Sequence, residues 1–123
     1  MIDRRILANY RVAPETLAKI LPAPLEPKCV GDCAVAGVCL IRLKNLRPKA
    51  LPTTWGMRSE NAAHRFAVTW QEDGVRREGV YVRRRDTDSR LNALAGGRLF
   101  PGVHHHAHFE VAERNDAVDV AIE

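Results

Sequence analysis

The apolar positions of this chain recur mainly at the two-residue spacing of half-buried β-strands. Arg4 to Val12 reads as a first strand, with Ile6, Ala8 and Tyr10 on one face and Leu7 and Asn9 on the other. Pro14-Glu15 opens a short helix. Proline suits a first helical position, glutamate favours the N-terminal dipole, and Leu17, Ile20 and Leu21 give the helix an apolar side. Pro22, Pro24 and Pro27 stop it and keep the following stretch extended. After the Gly31-Asp32 turn signal, Cys33 to Leu43 is apolar almost without interruption, as in a central strand covered on both faces. Arg42, Lys44 and Arg47 line one side as the chain leaves it. Leu46 to Thr54, with Pro48 and Pro52, reads as a loop whose packed end is Trp55-Gly56-Met57.

Alternation resumes from Asn61 to Trp70, with Phe66, Val68 and Trp70 set against Arg65, Ala67 and Thr69. Glu72-Asp73-Gly74 predicts a hairpin turn, because Asp-Gly supplies residues that tolerate positive φ, and Val75 to Arg85 is the partner strand. Thr87 or Asp88 caps a helix running to about Ala95, and Gly96-Gly97 ends it. Ala107 to Ala112 and Ala117 to Ile122 read as a last hairpin around Asn115-Asp116. The predicted architecture is a single α+β domain over residues 1–123, predominantly antiparallel β with two short helices. The last strand stops abruptly at Glu123, which predicts a homodimer completed through that strand or a longer protein of which this is the N-terminal part.

Composition narrows the function classes. At 46% hydrophobic and 28% charged residues the chain can build a core, which excludes a disordered segment. The net charge of +4 would suit nucleic acid or an acidic ligand. The arginines are dispersed and no nucleic-acid motif accompanies them, so a small anionic molecule is the expected partner and nucleic acid is not. Cys29, Cys33 and Cys39 form no Cys-x-x-Cys pair, and an odd count without a signal peptide points to a reducing, cytoplasmic compartment. The longest apolar run, Ala34 to Ile41, is too short to span a bilayer. No dinucleotide fingerprint, P-loop, nucleophile elbow or His-Glu-x-x-His is present, and no cofactor is expected.

Three constellations carry candidate chemistry. His104, His105, His106 and His108 lie in one segment, and on a strand His104, His106 and His108 would project one way and His105 the other. Three imidazoles in a row on one face rarely converge on a tetrahedral centre, so a polar site wall is preferred over a metal site, which stands as a third reading. Glu60-Asn61 with His64-Arg65 forms the second constellation, suited to acid–base work or to orienting a polar ligand. Arg83-Arg84-Arg85-Asp86 is the third. Alternation puts Arg83 and Arg85 with Tyr81, a pair able to grip a carboxylate or phosphate, and Arg84 on the opposite face.

The order Asn9-Tyr10-Arg11-Val12, Pro14-Glu15, Leu21-Pro22, Leu46-Arg47-Pro48, Glu60-Asn61, and Ser89-Arg90 leading to Leu99-Phe100 resembles the YqjF-like bacterial proteins. That uncharacterised family is grouped with acetoacetate decarboxylase. The resemblance implies a barrel-like α+β fold around a central pocket. It also lays Gly97-Arg98 on a helix end that precedes the relatives' Schiff-base lysine, which brings His104 and His105 near that position. No lysine follows Lys49, and imidazole cannot form a Schiff base, so decarboxylation through one is not expected. Glu60 matches a site glutamate of those relatives. The functional expectation is a pocket for a small anionic molecule, with His105 and Glu60 as candidate catalytic groups. Arg85, Arg83, His104, His106 and Arg65 are its candidate ligand-binding residues, and no metal is assigned. A non-catalytic assembly module is the alternative.

Overall fold

The computed structural model describes residues 1–46, 57–95 and 102–123. Their order is β1 (Ile2–Val12), α1 (Pro14–Ala18), β2 (Glu26–Pro27), β3 (Cys29–Val30), β4 (Cys33–Leu46), β5 (Met57–Glu72), β6 (Val75–Thr87), α2 (Arg90–Ala95), β7 (Val103–His106), β8 (Phe109–Glu113) and β9 (Val118–Ile122). The main sheet runs β1-β4-β5-β6-β7, with β2 on β5 and β3 on β4, and β8-β9 form a separate hairpin. All pairs are antiparallel except β6-β7, whose parallel pairing requires a crossover; that crossover passes through α2. Among the described residues the sheet is open, with β1 and β7 at its edges, so the expected barrel is not formed by these strands.

Local chemistry accounts for the elements. Asp73 (φ 52°) and Gly74 (φ 76°) make the two-residue turn between β5 and β6 with both central residues in the left-handed region, as the Asp-Gly pair predicts. Pro14 occupies the first turn of α1 and Leu17 is its buried anchor. The helix ends at Ala18, one turn shorter than the apolar pattern suggests, so Ile20 lies beyond it and is exposed. At α2, the Thr87 hydroxyl accepts from the Ser89 amide (3.2 Å) and the Ser89 carbonyl accepts from the Ala93 amide (2.9 Å). The connection at 47–56 and the glycine pair after α2 lie outside the described residues.

The buried apolar residues are mostly small: Ala34, Cys39, Ala62, Ala63 and Ala107, with Val68 and Leu17 the larger ones. Small side chains leave room for long polar ones to lie across the sheet. Arg42, Ser59, Glu60, Thr69, Asp86 and Thr87 are buried among them. Gly37 permits the close pairing of β1 and β4, since a Cβ there would stand 2.5 Å from Asn9 Oδ1 and 2.7 Å from the Ala8 carbonyl oxygen. Gly37→Ala is expected to cost about 2 kcal/mol through this overlap, read as a lower urea midpoint with an unchanged slope.

Candidate functional site

Strand register sorts the polar residues onto the two faces of the sheet. Arg4 pairs with Arg42 and Arg42 with Glu60, so these three lie in one row across β1, β4 and β5. One step along, Ile6, Leu40, Ala62, Asp86 and His105 form the next row, and Ala8, Val38, His64, Arg84 and Val103 the one after. Paired residues share a face and side chains alternate, so Glu60, His64, Arg84, Asp86 and His105 all belong to one side, the Glu60 face.

Glu60 is the hub of the first row. Its Oε1 accepts from Arg42 Nε at 2.5 Å and lies 3.5 Å from Arg58 Nη2, and its Oε2 accepts from Arg4 Nη2 at 3.0 Å. Glu113, from β8, accepts from Arg42 Nη1 at 2.7 Å and also from Arg4. Arg42 and Glu60 are only 5% and 7% exposed, so a buried ion pair forms the centre of a network whose outer members are Arg4, part-buried, and Glu113, exposed. Burial works against the Arg42 charge, and the hydrogen bonds to Glu113 and Glu60 outweigh it, raising its pKa. The network also joins the β8-β9 hairpin to the main sheet through Glu113.

The Glu113 carboxyl is held below its ordinary value of 4.5, first by its hydrogen bond to Arg42 and then by that to Arg4. A depressed folded pKa contributes stability that is complete above the ordinary value and is lost as pH falls through the lower folded one. Acidification from neutral pH to below 4.5 is therefore expected to expose the β8-β9 amides to hydrogen exchange before those of β4 and β5. Glu113→Gln should remove that pH dependence.

The second cluster is centred on Asp86, which is 2% exposed. Its cross-strand partner is Ala62, whose methyl group leaves space for the carboxylate to lean toward β5. Asp86 Oδ2 lies 2.6 Å from His64 Nε2, and Oδ1 accepts from Arg84 Nε at 2.7 Å. His105 sits in register with Asp86 on β7 and is solvent-exposed.

The remaining predicted residues fall elsewhere. Arg85 pairs with His104 and Thr87 with His106, which places Arg85, His104 and His106 on the opposite face together with Arg65. Within that group, Arg65 donates to Asn9 Oδ1 (3.2 Å) and His104 Nδ1 donates to the Gly102 carbonyl (3.0 Å). Simple alternation fails at Arg83. His64 pairs with Arg84 and Arg65 with Val82, so Arg83 is an extra residue, a bulge that resets the phase. Tyr81, opposite Phe66, consequently shares a face with Arg84 rather than with Arg83 and Arg85.

The histidine segment departs from uninterrupted strand alternation. Strand β7 ends at His106, and His108 instead exchanges backbone hydrogen bonds with Glu123 beside β8 and β9. The three-imidazole row expected from uninterrupted alternation is therefore broken. Among the described residues no group of three or more His, Cys, Asp or Glu is placed to hold a metal ion. A surface concavity of about 480 Å³ lies on the β8-β9 hairpin, lined by Val111, Val118 and Val120 among others and by no histidine. No helix among the described residues is long and apolar enough to cross a membrane.

Arg4, Arg84 and Glu113 carry no site signal in the sequence, and Asp86 reads there only as a counter-ion for arginine. The available signal was Arg42 at the end of an apolar run, which asks for a buried carboxylate nearby.

Fold and site together define a predominantly β domain, with two short helices, that buries paired charges on one face of a mixed sheet. The chain belongs to the DUF2071 family, described as an uncharacterized conserved protein, whose model matches residues 2–123. The YqjF-like resemblance is consistent with that membership. No curated protein matches the chain.

Proposed function

We propose that this protein binds a small anionic molecule on the Glu60 face, in a pocket of the acetoacetate decarboxylase-like kind that lacks a Schiff-base lysine. The observation carrying this reading is the pair of buried carboxylates, Glu60 bound by Arg4 and Arg42 from β1 and β4, and Asp86 bound by His64 from β5 and by Arg84 of its own strand. Buried, paired charges beside two histidines are a frequent feature of binding and acid–base sites. Arg4, Arg42 and Arg84 balance Glu60, Asp86 and Glu113 in the cluster, with two imidazoles besides, and what favours an anion is the accessibility of the Arg84 side chain, 53% exposed.

Under this reading His105 and Glu60 line the same wall, and Arg84 takes the anchoring part expected of Arg85. Among the described residues, Lys28 is paired with Glu78 and Lys44 with Asp3, and the ion pairs of Glu60 and Asp86 involve no lysine.

Titration of isotopically labelled protein with acetate and with inorganic phosphate tests the reading. Saturable NMR shifts are expected at Ala62, His64, Arg84 and His105, and Arg84→Gln should weaken binding roughly tenfold or more. Shifts confined to the Arg85 and His104 face, or no binding at Kd values of about 1 mM or tighter, would overturn it.

A further inference from the structure

Three groups on the Glu60 face do more than neutralise one another. An ionised carboxylate only accepts hydrogen bonds, so the 2.6 Å contact between His64 Nε2 and Asp86 Oδ2 requires the proton on Nε2. In the neutral ring this leaves the lone pair on Nδ1. The same carboxylate engages Arg84 through Nε, which leaves the terminal guanidinium nitrogens for another acceptor. Asp86 is fully buried, whereas the His64 and Arg84 side chains are 38% and 53% exposed. The buried group therefore orients two accessible ones. Because both are anchored on the two oxygens of one carboxylate, they are held within the span of a molecule of a few heavy atoms.

We infer that His64 and Arg84 form a paired recognition site for a carboxylate bearing a hydroxyl group on the adjacent carbon, with Asp86 as the positioning residue. Arg84 holds the ligand carboxylate through its terminal nitrogens. His64 Nδ1 accepts the hydrogen bond of the neighbouring hydroxyl and is the group placed to take its proton. His64, not His105, is then the acid–base residue of the face, because His64 has a buried carboxylate fixing its tautomer. The inference rests on the anion-binding reading above and sharpens its ligand class.

Two measurements test it. In the ligand-free protein, ring nitrogen spectra, with His64 assigned by comparison with His64→Ala, should show the Nε2-protonated tautomer. Asp86→Asn should reverse it, because the amide can donate to Nε2. A Nδ1-protonated ring in the unmodified protein overturns the inference whatever binds. Second, glycolate should bind roughly 2- to 12-fold tighter than acetate, the value of one net hydrogen bond. His64→Ala and Asp86→Asn should abolish that preference while acetate binding persists. Acetate binding without a glycolate preference overturns this inference and leaves the anion site standing, whereas absence of binding by either ligand overturns both.

Discussion

Glu60→Ala is expected to lose about 3–5 kcal/mol of folding stability, the usual cost of stranding a buried partner charge. The substitution leaves Arg42, 5% exposed, and Arg4 with Glu113 as their remaining shared carboxylate. Water cannot replace the lost acceptor readily at that depth. A loss of this size is a large fraction of the 5–15 kcal/mol that holds an ordinary domain together, so the variant should unfold at a much lower urea concentration. The paired replacement Arg42→Met with Glu60→Leu should cost much less than the sum of the single changes, since it removes both charges and leaves Arg4 with Glu113. Equal, additive losses in the double-mutant cycle would show that the network contributes no coupling.

Asp86→Ala should cost about 3 kcal/mol, less than the Glu60 change although Asp86 is the more buried of the two. Two charge-assisted hydrogen bonds disappear, each worth roughly 1.5–3 kcal/mol when fully sequestered. Here both donors reach solvent, His64 at 38% and Arg84 at 53% exposure, so water takes over much of what the carboxylate supplied. The contrast between the two substitutions separates their roles. Glu60 lies among side chains that need it for stability, and Asp86 orients side chains that remain accessible. The hydrogen bond to Asp86 should slow exchange of the His64 Nε2 proton, as followed by NMR, and the Asp86 variant should lose that protection. A loss of stability as large as that of Glu60→Ala, with the ring proton still protected, would place Asp86 in the structural network alone.

Most of the secondary structure was legible along the chain. The strands from Arg4, Cys33, Asn61 and Val75 and the last hairpin follow from period-two alternation and from turn residues whose backbone preferences are intrinsic. Their ends were less so: β4 reaches Leu46 and β5 starts at Met57, which puts Glu60 inside a strand. Hydrophobicity falls at those positions while the backbone ladder continues, so the pattern ends earlier than the strand does. The parallel β6-β7 pair was not legible, because adjacency after a crossover depends on where α2 packs. Glu60 and His105 were recognised as candidates, but their alignment on one face depends on register across β5, β6 and β7.

The amino-acid sequence by itself determined the strand-rich class, the Asp73-Gly74 hairpin, the absence of a lysine after Lys49 and the supply of arginine and histidine from which a site is built. These are properties of single residues and short periods. The tertiary structure decided which of those side chains meet. One bulge at Arg83 moved Arg84, rather than Arg85, to the same face as Tyr81, and the strand break after His106 divided the histidines between two sheets. The physical reason is that strand alternation has a period of two: a single inserted residue or a single break reverses which face every later side chain occupies, and neither can be read from hydrophobicity alone.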